Sequence, residues 1–169
     1  MLVMKQIIAF ITLLTCISTF AAPIPPPDPN FPYFRAGEFN LDLYGTGSLG
    51  DSHNGPNGIR AGLGAGATYF YTKALGFGFR AESDNADHSF LDRASGRVII
   101  RAPLWDRFAP YGYANGVFHF ERDEWSAGAG GGLEYRFNPK VAVFTEAGAD
   151  IDLGGHGKLV GAAGLRLSF

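Results

Sequence analysis

His119 and Ser126 flank the charged run Glu121-Arg122-Asp123-Glu124, and a hairpin folded there would bring an imidazole against a hydroxyl. A histidine that takes the hydroxyl proton makes serine a nucleophile toward an ester, and Glu121 or Glu124 would hold the ring in position. A polar rim produces the same neighbours without catalysis, so ordinary surface chemistry is the expectation. His88 and Ser89 are adjacent, and in a strand their side chains diverge to opposite faces. No catalytic role is assigned to either pair.

The four histidines, His53, His88, His119 and His156, fall in polar segments that also carry Asp51, Asp84, Asp87, Asp92, Glu121, Asp123, Glu124 and Asp152. Gathered at one end of a fold, they would form an acidic rim able to touch divalent cations; solvated loops are the plainer expectation. None of these residues has the spacing of a metal-ligand motif, so no metal and no cofactor is assigned. Cys16 is the single cysteine, in Leu13-Leu14-Thr15-Cys16. Thr15 and Leu14 stand where a lipid-modified cysteine usually has smaller residues before it, so Cys16 is expected to leave with a signal peptide. The mature chain would then hold no thiol for disulfide or thiolate chemistry.

The elements that position these residues begin with targeting. Met1-Leu2-Val3-Met4-Lys5 carries one positive charge, and residues 6–20 are uncharged and mostly apolar. This reads as a signal peptide over 1–21, cleaved before Ala22, because the apolar stretch falls short of the roughly 20 residues of a spanning helix. Ala22-Pro23-Ile24-Pro25-Pro26-Pro27-Asp28-Pro29 opens a proline-rich leader over 22–37, expected to be extended and unpaired. The fold proper is expected over 38–169.

Glycine numbers 24, where average usage of about 7% would supply about 12. Disorder does not explain it, because 15 Phe, 7 Tyr and 2 Trp accompany the glycines. The net charge of −2 gives no sign of nucleic-acid binding.

Alternation with a period of two marks about eight strands. They are expected over 38–48, 59–71, 75–82, up to 102, 109–120, 125–137, 141–151 and 159–169. In the first, Phe39, Leu41 and Leu43 alternate with Asn40, Asp42 and Tyr44; in the last, Leu159, Leu165, Leu167 and Phe169 oppose Arg166 and Ser168. The fifth is ambiguous, since Tyr111 and Tyr113 favour one phase and Phe118 and Phe120 the other; a bulge would reconcile them. Tight connections follow strands two and six, and polar, glycine-rich ones follow strands one, three, five and seven.

Charge placement decides what the faces meet. Asp42, Arg60, Arg80, Glu82, Arg97, Arg101, Glu134, Arg136, Glu146, Asp150 and Arg166 all take the phase opposite the apolar set. A charge on a lipid-facing strand position costs about 2–4 kcal/mol at mid-membrane. The pattern therefore predicts an all-β, eight-stranded antiparallel up-and-down transmembrane barrel, apolar outside, with both signs of charge paired inside. Lys73, Lys140 and Lys158 are expected in turns. Tyr69, Tyr71, Tyr135, Phe137 and Phe169 would form one aromatic belt, and Phe120 and Trp125 part of the other. A soluble lipocalin-type barrel would instead turn the charged phase outward and pack the aromatics within.

From Glu38 to Phe169 the chain resembles the small outer-membrane barrels of the OmpA and OmpX type, most closely in Gly130-Gly131-Gly132-Leu133-Glu134-Tyr135-Arg136-Phe137 followed by Asn138-Pro139-Lys140. The resemblance implies an integral outer-membrane protein with periplasmic termini, monomeric, in contact with outer-membrane lipid and lipopolysaccharide. It implies that the barrel assembly machinery recognises the last strand through Phe169. The peptidoglycan-binding domain of OmpA has no counterpart in the sequence. Some barrels of this size modify lipid A, but the His-x-Ser pair of the deacylases does not occur. The expectation is a non-enzymatic barrel whose charged lumen is plugged, serving envelope structure or surface interaction. A narrow diffusion pore, or a lipid A-modifying enzyme, is the alternative.

Overall fold

The structure is a computed structural model that describes residues 33–50, 59–84, 91–104, 106–120 and 122–169. The strands are β1 (Glu38–Leu49), β2 (Ile59–Phe70), β3 (Leu75–Asp84), β4 (Arg93–Arg101), β5 (Phe108–His119), β6 (Glu124–Asn138), β7 (Val141–Asp152) and β8 (Gly157–Ser168). Each pairs antiparallel with its sequence neighbours. β8 returns to β1, from Asn40 opposite Ser168 to Leu49 opposite Leu159, and closes an all-β barrel of eight strands.

Closure removes every sheet edge, so each strand interior satisfies its backbone on both sides. Two tight turns are set by single side chains. Asn138 Oδ1 accepts from the backbone N–H of Lys140 at 2.8 Å and of Val141 at 2.9 Å. Thr72 Oγ1 does the same for Ala74 at 3.1 Å and Leu75 at 2.8 Å. These are the Asx and Ser/Thr turns that such residues favour.

The barrel is inside out relative to a water-soluble core. Arg101, Arg136 and Arg166 are among its largest fully buried side chains, while Leu63 is 71% exposed, Leu43 66% and Ile100 64%. Of the charged residues expected inside, Asp42, Arg80, Arg97, Arg101, Glu134, Arg136, Glu146, Asp150 and Arg166 are all buried. The arrangement suits an apolar surround, in which outward Leu, Ile and Phe stand in their preferred medium and the polar groups have only each other.

Four expectations need correction. No bulge interrupts β5, whose register runs unbroken against both neighbours. Tyr111 and Tyr113 face inward and Phe118 outward, because a tyrosine with an internal hydroxyl partner does not belong to the lipid-facing set. The irregularity in the ladder lies instead between Arg136 and Asn138, beside the turn. Lys158 lies within β8 with its Nζ 3.9 Å from Asp150 Oδ2, and so is not a turn residue. Asp92 is 5% exposed and does not belong to a solvated loop.

The fourth concerns the leader, which is paired at its end. Gly37 donates to the carbonyl of Phe70 at 2.8 Å, from a backbone with φ +74° that favours glycine, and Phe34 is fully buried. Residues 1–32, with the expected signal peptide, most of the expected leader and Cys16, lie outside the described residues.

Candidate functional site

The inward phases of all eight strands converge on a charged lumen, which divides into three levels along the axis. At the end with the tight turns, six side chains alternate in sign. Arg101 Nη1 meets Glu38 Oε1 at 3.0 Å, and Arg136 Nη1 meets Glu38 Oε2 at 3.0 Å. Arg136 Nε donates to Glu134 Oε1 at 2.6 Å, and Arg166 Nη1 donates to Glu134 Oε2 at 2.6 Å. Arg166 then grips Asp42 with two bonds, Nε to Oδ1 at 2.7 Å and Nη2 to Oδ2 at 2.8 Å. Three guanidiniums and three carboxylates balance, and bidentate pairing is what the planar fork of arginine does best.

Phe34 closes this level like a stopper. Its ring stacks on the guanidiniums of Arg136 and Arg101, 4.4 and 4.8 Å from centroid to Cζ, and the carbonyl of Tyr33 accepts from Arg136. Phe70 covers Arg101 from the wall at 3.7 Å. Aromatic faces beside desolvated guanidiniums are favourable by cation–π attraction.

The middle level centres on Glu146. Arg97 holds it with Nη1 to Oε1 at 3.2 Å and Nη2 to Oε2 at 3.1 Å, Arg80 Nη1 pairs with Oε1, and the Tyr111 hydroxyl donates to Oε2 at 2.9 Å. Arg80 Nη2 lies 3.8 Å from Asp42, linking this level to the one below. Above it, Glu82 accepts from the Tyr44 hydroxyl at 2.9 Å and from Arg93 at 2.6 Å.

Inward glycines make room for these aromatics. A Cβ on Gly132 would stand 2.6 Å from the Tyr111 hydroxyl, one on Gly130 2.6 Å from that of Tyr113, and one on Gly64 inside the Tyr44 ring. The space such glycines leave is therefore filled by tyrosine rings from neighbouring strands as well as by arginines.

Between the middle level and the open end remains a cavity of about 40 Å³, lined by Arg80, Arg93, Arg97, Glu82, Glu146 and Asp150 among others. A smaller one of about 20 Å³ follows at the rim, between His119, Ser126, Glu124, Asp152, His156 and Lys158. There the structure does bring His119 and Ser126 together, Nε2 to Oγ at 3.1 Å, with Glu124 opposite His119 in register. Ser126 is paired in register with both Val117 and Asp152, so its strand backbone belongs to the ladder and offers no oxyanion donors.

His156 Nδ1 lies 3.4 Å from Asp152, and its backbone N–H donates to Asp152 Oδ1 at 2.8 Å. Among the described residues no group of three or more His, Cys, Asp or Glu side chains could hold a metal ion. Asp51, His53, Asp87, His88, Ser89 and Glu121 lie outside the described residues, as does the side chain of Asp84.

Glu38, Arg93, Tyr111 and Tyr113 carry lumen roles that the alternation did not assign, whereas Tyr44 shares the phase of Asp42 as expected. Counting in twos would have found the first two, since Glu38 shares the phase of Asp42 and Arg93 that of Arg97.

The closed eight-stranded barrel with a charged lumen is a fold shared with solved transmembrane β-barrels. The N-terminal β-barrel domain of OprF from Pseudomonas aeruginosa has this fold with TM-score 0.61 and 14% identity, over 80% of this chain and 99% of that one. A de novo designed transmembrane β-barrel matches with TM-score 0.54 and 20% identity, over 77% of this chain and 95% of the design. The outer-membrane protein OprG of Pseudomonas aeruginosa matches at TM-score 0.45 and 15% identity, over 80% and 97% of the two chains. No protein-family model matches the chain, and no curated protein matches it in sequence. The likeness is one of fold, and a designed barrel shares it, so the fold by itself assigns no ligand.

Proposed function

We propose that this chain is a monomeric, integral outer-membrane β-barrel with a closed, charged lumen, non-enzymatic, serving envelope structure or surface interaction. The observation that carries the reading is the inversion of polarity. Arg136 and Glu134 are 0% exposed inside, while Leu43, Leu63, Ile100 and Leu159 stand outward and open. In water that surface would aggregate; in hydrocarbon it is the favoured one. The Arg101–Glu38–Arg136–Glu134–Arg166–Asp42 chain with Phe34 beneath it supports a lumen closed to steady ion flow.

On this reading the tight turns and both termini face the periplasm, the outward side chains contact lipid, and the rim meets the lipopolysaccharide layer. The signal peptide over 1–21 delivers the chain to that compartment. The test is membrane fractionation followed by electrophoresis with and without boiling. Recovery from the outer membrane with heat-dependent migration is expected, because a closed barrel resists detergent until heated. Recovery in a soluble periplasmic fraction would overturn the reading. Steady conductance in planar bilayers would overturn the closed lumen alone.

A further inference from the structure

The inner and outer halves of the lumen are not equivalent. The inner half is balanced in charge, three guanidiniums on three carboxylates with Phe34 at its mouth, and has one unpartnered guanidinium nitrogen, Arg101 Nη2. In the outer half Arg80, Arg93, Arg97 and, at the upper edge, Lys158 meet Glu82, Glu146 and Asp150 among the described residues, with Asp42 3.8 Å from Arg80. Arg80, Arg93 and Arg97 are 5, 6 and 5% exposed, all line the same cavity, and four of their nitrogens have no acceptor: Arg80 Nε and Nη2, Arg93 Nε and Arg97 Nε. Arg80 Nη2 has only the distant Asp42, at 3.8 Å.

Buried donors left without an acceptor are costly, the more so when charged. Two unpartnered acceptors lie beside Gly128: Asp150 Oδ1, and Oδ1 of Asn115, which stands opposite Arg97 in register. Water would serve these two. Donors outnumber acceptors, and the surplus is cationic.

Register gathers the three arginines. Arg80 on β3 stands opposite Ser95 on β4, and Arg93 and Arg97 flank Ser95 two residues to either side. All three arginines and Ser95 line the same cavity. Glu146 and Glu82 are already engaged by Arg80, Arg97, Arg93, Tyr111 and Tyr44.

We propose that this outer vestibule binds one small inorganic oxyanion, of the phosphate or sulfate class, through Arg80, Arg93 and Arg97. The cavity, about 40 Å³, suits a small ligand. Its enclosure within the barrel wall excludes a phosphate still attached to a lipid. Entry is from the rim, because Phe34 and the inner ion pairs close the other end. The proposal rests on the closed-lumen reading.

The experiment is calorimetric titration of the full mature chain, refolded in zwitterionic detergent, with sodium phosphate or sulfate at constant ionic strength set by a bulky organic anion. Saturable uptake of one anion per barrel is expected. Ser95→Leu, which fills the cavity and leaves every arginine in place, and Arg93→Gln should each weaken uptake by about tenfold or more. Heat-dependent migration verifies that each variant is folded.

No saturable uptake below about 0.15 M, physiological ionic strength, would overturn the proposal, as would uptake unchanged in both folded variants. A folded, non-conducting barrel that takes up no anion leaves the closed-lumen reading standing. Steady conductance removes that reading whatever the titration shows.

Discussion

Glu134 is the residue on which the inner lumen turns, because its two oxygens accept from two different arginines at 2.6 Å each. Ions buried at this depth are tolerable only while every partner is present. Glu134→Gln keeps the volume and removes the charge, so Arg136 retains Glu38, Arg166 retains Asp42, and one cation goes uncompensated. Removing one partner from a buried pair costs about 3–5 kcal/mol. Urea unfolding of the barrel in lipid vesicles, followed by tryptophan fluorescence, should show a loss of that size, and a loss near zero would mean that water enters this level. Single residues were only partly legible in the sequence. The phase rule found Asp42, Glu134, Arg136 and Arg166, because a charge cannot face hydrocarbon. It could not say which acid meets which base, since partners such as Arg166 and Asp42 are 124 positions apart.

At the scale of the strand, glycine has two opposite meanings that its face decides. A Cβ on Gly132 would approach the Thr145 carbonyl and the Tyr111 hydroxyl at 2.6 Å each, whereas outward Gly96 has nothing within 4 Å. Gly132→Ala must displace backbone or the ring that holds Glu146, and should destabilise by about 1–3 kcal/mol. Gly96→Ala relieves the entropy of a glycine within a strand and should be neutral or stabilising by up to about 1 kcal/mol. The two unfolding midpoints measured side by side decide the matter, and equal shifts would mean that β6 is not packed as described. Period-two alternation made the strands and their faces legible, most cleanly in β7 and β8, where every charge within the strand falls on one phase. It failed in β5, because tyrosine is apolar enough to count as lipid-facing and polar enough to serve as an internal hydrogen-bond donor. Only a partner such as Glu146, on another strand, resolves that choice for Tyr111.

For the whole molecule, the proposed closure of the lumen lies at one end and has two parts in series. Phe34 is the lower part, stacked on Arg101 and Arg136; the balanced chain from Arg101 to Asp42 is the upper. Proline composition predicts an extended leader but carries no hint that Tyr33 and Phe34 return to the barrel mouth. That docking depends on the cations waiting there, and neither feature is visible without the other. Phe34→Ala removes a fully buried ring and should destabilise by about 3–5 kcal/mol, the usual range for a Phe truncation in a packed interior. It should not produce conductance, because the ion chain above remains closed and three carboxylates still hold three guanidiniums. Urea unfolding and planar-bilayer recording on one preparation separate these effects. Lost stability with a silent bilayer is the expected pair of results, and steady current from Phe34→Ala would show that the ring, rather than the ion network, is what closes the lumen.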